Sequence, residues 1–168
     1  HEVYDALHGC LSCKACTTAC PVRIDIPKFK VKFLEIYHHR YRRRLRDYVT
    51  GYIEFVLPIL SRFPWVPRRL PGLIDLSKPV FKYIPTSSEC DVMIIQDAFT
   101  TFHEPDLVMN FRQLLLELGC KGAVLRYSPS GKPLYIKGFI KAFNKVAVKH
   151  IRHLESLGGL LVGVDPST

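Results

Sequence analysis

Residues 10–21 read CLSCKACTTACP and place four cysteines and a proline in one short loop, in a chain that carries six cysteines in 168 residues. The spacing is C-x2-C-x2-C-x3-C-P, through Cys10, Cys13, Cys16, Cys20 and Pro21. This is the run that bacterial ferredoxins use for iron–sulfur clusters. Two-residue gaps let the backbone wrap a cube corner, so that three thiolates face three irons. Ala15, Thr17, Thr18 and Ala19 are small enough for backbone N–H groups to approach the sulfides. Pro21 turns the chain away from the site.

In two-cluster ferredoxins the fourth cysteine of this run serves the other cluster. Cys10, Cys13 and Cys16 are therefore expected to hold one [4Fe–4S] cube, with Cys20 reaching a second. The reciprocal motif does not occur in this sequence, and the missing ligands are expected before His1. Both ends read as cut: the chain opens inside an apparent helix and stops after VGVDPST.

Other readings of the cysteines remain open. Structural zinc sites usually set one C-x2-C pair well apart from a second, which this compact run does not. Disulfides suit an exported chain, and HEVYDALHGC has neither the basic start nor the apolar core of a secretory signal. Ordinary core cysteines are not spaced this way. Cys90 and Cys120 have no cysteine neighbour and read as free thiols, with a remote ligand as the alternative for either.

The rest of the chain falls into differently built parts. Asp25 reads as a helix N-cap with Pro27 in the first turn. Phe29, Phe33, Leu34, Tyr37, Tyr41 and Leu45 follow at helical spacing as a buried stripe. A second helical run covers Tyr48 to Phe63, kinked or divided at Pro58. Prolines at 64, 67, 71, 79 and 85 mark a linker, with one short helix near Ile74 to Tyr83. Strand and helix patterns then alternate: DVMIIQD, EPDLVMNFRQLLLELG (Leu107, Phe111, Leu114, Leu115 and Leu118 inward, Gly119 as stop), GAVLRY, KGFIKAFNKVAVKHIRHLESLGG and LLVGVD. The order β-α-β-α-β implies a parallel sheet with right-handed crossovers. The expected architecture is α+α/β: a helical ferredoxin-like half over residues 1–63, a proline-rich linker over 64–88, and a partial α/β module over 89–168.

Open parallel sheets bind ligands beyond the carboxyl ends of their strands. There the sequence offers Asp97, Thr100 and Thr101, then Tyr127, Ser128, Ser130, Gly131 and Lys132, then Asp165 and Ser167. SPSGKP lacks the spaced first glycine and the Ser/Thr after lysine of a phosphate-gripping loop. These residues suit strand ends and helix caps as well as they suit a small-anion rim.

The formal charge of +9 favours an anionic partner. Its densest expression is HHRYRRRLR, His38 to Arg46. Tyr41 and Leu45 fall on the expected buried stripe, which argues against base-stacking aromatics. A solvated or domain-facing surface fits better than nucleic acid, which is not expected as a partner. YIEFVLPIL, broken by Glu54 and Pro58, is too short to span a bilayer, although it leaves a peripheral membrane contact open. A cytoplasmic location is expected, with the inner face of the membrane as the alternative.

The run HEVYDALHGCLSCKACTTACPVRIDIPKFKVKFLEIYHHRYRRRLRDY resembles the C-terminal iron–sulfur part of bacterial FAD-linked D-2-hydroxyacid dehydrogenases, described as D-lactate or D-2-hydroxyglutarate dehydrogenases. VMIIQDAFTTFHEPDLVMNF, YSPSGKPLYIKGFIKAF and LVGVDPS resemble the same proteins. The chain is more distantly similar to the iron–sulfur subunit of anaerobic glycerol-3-phosphate dehydrogenase and to heterodisulfide-reductase-like subunits. The resemblance implies an upstream FAD domain that oxidises the hydroxy acid, and a helical domain with two [4Fe–4S] clusters that receives the electrons. It implies a cysteine-rich α/β module after that, and an electron acceptor the sequence does not identify. Cys10, Cys13, Cys16 and Cys20 match the family motif. Ser128, Ser130 and Gly131 stand where related subunits carry Cys-Cys-Gly, so a second metal site in the α/β half is not expected. The basic surroundings are expected to stabilise the reduced, more negative cluster. A metal-stabilised nucleic-acid-binding module is the alternative from another class.

Overall fold

The computed structural model describes residues 2–63 and 90–164. The expected linker, the short helix near Ile74 to Tyr83, and the rim residues Asp165 and Ser167 lie outside the described residues. The chain forms two compact units. One comprises residues 1–53 and 131–147; the other comprises residues 54–130 and 148–168.

The first unit is helical. It contains α1 (Glu2–His8), α2 (Ala15–Ala19), α3 (Ile26–Arg40), α4 (Leu45–Gly51), α8 (Lys132–Ile136) and the first part of α9 (Ile140–Leu157). Asp25 caps α3 as expected, its Oδ1 accepting from the Lys28 N–H at 2.8 Å, and a proline occupies the first turn. Replacing Asp25 with Ala removes that acceptor. We expect it to destabilise α3 by about 1 kcal/mol, read as faster hydrogen exchange in the first turn of the helix.

The stripe that α3 buries is rotated from the expected one. Pro27, Lys30, Val31 and Leu34 face inward, while Phe29 is exposed, and the helix ends at Arg40, before Tyr41 and Leu45. Tyr37 keeps a place in the packing, stacked on Tyr4 with ring centroids 4.8 Å apart. Apolar spacing alone cannot choose between two overlapping faces, and here the packing selected the Pro27–Val31–Leu34 face. The next break also moves. Pro58 lies inside α5 (Ile53–Leu60), and the interruption falls at Tyr52, between α4 and α5.

The second unit carries the sheet. Its strands are β1 (Val92–Ile95), β2 (Gly122–Val124) and β3 (Leu160–Gly163), in the order β2-β1-β3, all parallel. Val92 pairs with Gly122 on one side and Leu160 on the other. The expected parallel β-α-β-α-β order is therefore present, with two added short helices, α6 (Ala98–Phe102) before α7 (Pro105–Glu117) and α8 before α9.

Successive strand residues point to opposite faces, so β1 builds two cores. Met93 packs with Ala123 and Leu125 under Leu154 and Leu157. Ile94, fully buried, packs with Val124 and Val108 under Phe111 and Leu115. A central strand covered on both faces must be apolar throughout, which is why VMII shows no alternation. The buried face of α7 is thus Val108, Phe111 and Leu115. Leu107, Leu114 and Leu118, expected inward, are exposed.

Candidate metal centre

The cysteine run lies between α1 and α3 in the first unit. The Cys10 N–H closes the end of α1 by donating to Leu7 O. Ser12 and Lys14 then take left-handed backbone angles (φ 58° and 61°), which turn the chain sharply on either side of Cys13. Cys16 sits in α2, and the Cys20 N–H caps that helix on Cys16 O at 3.0 Å. After Pro21 the Arg23 N–H returns to Cys20 O at 2.9 Å, and Asp25 starts α3. Pro21 therefore sits in a tight turn, as the motif predicts.

All four thiols are free; Cys13 and Cys16 are exposed, Cys10 and Cys20 half-buried. Hydrogen bonds from the backbone of Ile24 and then Val22, with Arg23 adding to them, hold the Cys20 thiol below its ordinary pKa and so favour the thiolate. Two hydroxyls in the run, Ser12 Oγ and Thr17 Oγ1, are buried without a hydrogen-bond partner. Four thiols in one loop, backbone donors at Cys20 and two unpartnered hydroxyls form a donor set whose chemistry suits an iron–sulfur group. Among the described residues, however, no three His, Cys, Asp or Glu side chains stand together in a metal-holding arrangement.

A buried charged group supports the loop from below, and no sequence motif announced it. Lys30, 8% exposed, reaches from α3 to donate to Cys10 O at 2.6 Å. Burial depresses its pKa, and the neighbouring Cys10 opposes that shift. Asp47, also buried, accepts from Lys137 Nζ at 3.1 Å through Oδ1, while its Oδ2 is buried without a partner. Lys30, Asp47 and Lys137 share a cavity of about 30 Å³ with Tyr4, Leu34 and His38.

The basic run is partly structural. Arg43 donates to the carbonyls of Lys137 and Gly138 and lies 3.9 Å over the Phe139 ring, closing the end of α8. The Arg44 guanidinium lies 5.8 Å from the Tyr4 ring centroid. Because α3 ends at Arg40, the run leaves the helix midway and forms no single cationic helix face.

In the second unit the rim residues after β1 serve the backbone. Asp97 caps α6 through the Thr100 N–H at 2.7 Å, Thr100 Oγ1 returns the capping contact, and Thr101 donates to Asp97 O. The residues after β2 meet two groups that the sequence did not single out. Tyr127 donates to Glu54 O at 2.9 Å and Ser130 to Glu54 Oε1 at 2.7 Å, while Ser128 lies 3.1 Å from His150 Nδ1. Burial, then Glu54 and Asp97, push the Tyr127 phenol far up. Burial lowers the His150 pKa against the pull of Glu54. Glu54 and His150 are distant from Ser128 in sequence, so no local pattern could pair them. Cys90 and Cys120 are half-buried and form no disulfide.

Among the described residues no helix is long and apolar enough to cross a membrane. No family model and no solved structure matches the chain. Named relatives do. The chain is 36% identical to the D-2-hydroxyglutarate dehydrogenase of Pseudomonas putida, with 99% of the chain and 20% of that protein aligned. It is 34% identical to the protein of that name from Pantoea ananatis, over 100% of the chain and 20% of the relative. The Escherichia coli protein of that name is also 34% identical, over 99% and 20%. The chain spans about a fifth of the length of these relatives. It is therefore homologous, along 99–100% of its length, to one region of proteins named D-2-hydroxyglutarate dehydrogenase.

Proposed function

We propose that this chain is the electron-transfer iron–sulfur segment of a flavin-dependent D-2-hydroxyacid dehydrogenase. The carrying observation is the run Cys10-x2-Cys13-x2-Cys16-x3-Cys20-Pro21 inside a chain homologous from end to end to proteins named for that activity. A [4Fe–4S] cluster, when bound, supplies a one-electron carrier whose potential follows charge, burial and hydrogen bonds to sulfur. Cys10, Cys13 and Cys16 would hold one such group and Cys20 would contribute to a second. Backbone N–H groups after Cys20 favour its thiolate, the form that binds metal. FAD and the hydroxy acid would bind in another portion of the protein, and electrons would leave to an acceptor whose identity is open. A cytoplasmic place, at or near the membrane face, belongs to the same proposal.

The test is the intact protein, isolated without oxygen. We expect a brown protein that contains iron and acid-labile sulfide and oxidises D-2-hydroxyglutarate or a related D-2-hydroxy acid with an artificial acceptor. A colourless protein that holds zinc and no sulfide would sink the proposal.

A further inference from the structure

Among the described residues, Lys30 is a buried cation with too few anions. The residue is 8% exposed, and its ammonium donates to the Cys10 carbonyl at 2.6 Å. The ionisable groups acting on it are Cys10, Lys137 and Asp47. Of these, Asp47 already serves Lys137 at 3.1 Å. Two ammonium groups thus face one carboxylate. Between Gly9 and Ile24 the chain has Lys14 and Arg23 and no acid, so the cysteine run offers no carboxylate to complete the balance. A buried charge is costly unless paired, and truncating a half-paired one leaves its partners exposed to that cost. Among the described residues, the remaining group beside Lys30 that can carry negative charge is the Cys10 thiol. An apolar residue would fill this face of α3 at lower cost. The lysine is explained if it serves a group that is anionic when the loop is loaded.

We propose that Lys30 is the positioning residue of this centre: it ties the Cys10 carbonyl to α3 and supplies the positive charge that raises the reduction potential of the cluster held by Cys10. The proposal rests on the iron–sulfur reading above. A cation near a cluster favours the reduced form, because reduction adds negative charge. The hydrogen bond acts on the backbone of the first ligand, and the burial of Lys30 shields the interaction from solvent screening.

The test uses the intact protein carrying Lys30→Met or Lys30→Arg, with Lys32→Met as a control on the exposed side of the same helix, where the Lys32 side chain is 71% exposed. Iron and sulfide are counted, each cluster is titrated by electron paramagnetic resonance, and the cluster-free protein is digested with trypsin to follow cleavage after Lys14 and Arg23. In Lys30→Met we expect one cluster's reduced-to-oxidised ratio to fall about tenfold at the wild-type midpoint, a shift of about 59 mV for one electron. Lys30→Arg should recover most of it, and Lys32→Met should leave it unchanged. Trypsin should cut the Lys30→Met loop about tenfold faster, as expected for loss of a buried hydrogen bond from a charged donor. Loss of iron in Lys30→Met, restored in Lys30→Arg, equally supports the anchor. Wild-type potential and wild-type cleavage in Lys30→Met would overturn the proposal. A Lys30→Arg potential as low as that of Lys30→Met would overturn the role of charge. A wild-type protein with zinc and no sulfide defeats the iron–sulfur reading and the potential-setting role, while cleavage still decides the anchoring role by itself.

Discussion

Cys20→Ser is expected to abolish one iron–sulfur signal of the intact protein and spare the other, whereas Cys10→Ser, Cys13→Ser and Cys16→Ser each abolish the signal that Cys20→Ser spares. The expectation follows from the ligand split in the C-x2-C-x2-C-x3-C-P run, where the fourth thiol belongs to the neighbouring cluster. Cys10, Cys13 and Cys16 follow one another through the loop and into α2, while Cys20 stands beyond that helix among the N–H groups of Val22, Arg23 and Ile24. A serine hydroxyl is a poor substitute for a thiolate toward iron, so each change should cost about one cluster's worth of iron and sulfide. Electron flow to an artificial acceptor should fall at least tenfold in all four variants if both clusters lie on the electron path. Metal analysis and reduced-state spectra on each variant check the split. Four variants that all lose the same signal would show that the four thiols serve one site.

Gly138→Ala is expected to cost about 3 kcal/mol of local stability in the first unit. Two penalties combine. Gly138 has φ +70°, a region that costs an L-residue about 1–2 kcal/mol. A Cβ there would also meet Leu34 Cβ at 2.8 Å and the Glu35 backbone nitrogen at 3.1 Å. Backbone atoms of a helix cannot step aside as a flexible side chain can, so overpacking adds about 1–3 kcal/mol. Gly119→Ala separates the two terms, since Gly119 has φ +81° and nothing within 4 Å of an added Cβ. It should cost only the backbone term, about 1 kcal/mol. Hydrogen exchange of α3 and α8 in the intact protein reads the first effect, and exchange at the end of α7 reads the second. Equal protection in Gly138→Ala and wild type would mean that α8 and α3 do not pack as closely as described. Because Lys30 and Leu34 share the buried face of α3, Gly138→Ala should also loosen the support beneath the cysteine run.

Local chemistry was legible wherever the determinants lie close in the chain. Asp25 with Lys28 and Pro27 fixes a helix start within one turn. VMII, GAV and LLVG are short apolar runs separated by helix-length amphipathic segments, enough to specify a parallel sheet with helical crossovers. The cysteine spacing likewise lies within a few residues, and the chemistry proposed for it rests on that spacing. The choice of buried face was less legible. α3 and α7 each carry more apolar residues than one face holds, so Phe29, Leu107, Leu114 and Leu118 were expected inward and are exposed. A helix surrounded by leucines admits several stripes, and the neighbouring elements select among them.

The sequence by itself determined the spacing of the cysteine run, the Asp25 cap and the alternation of the three strands with the longer helices, because each is encoded by residues within a turn or two of one another. Tertiary structure alone decided that residues 131–147 fold with residues 1–53, that Lys30 stands beneath Cys10, that Asp47 meets Lys137, and that Glu54 gathers Tyr127 and Ser130. The physical reason is that a buried charge or hydroxyl must find a partner wherever the packed chain supplies one. Those partners lie 20 to 90 positions away, beyond the reach of any periodicity or motif.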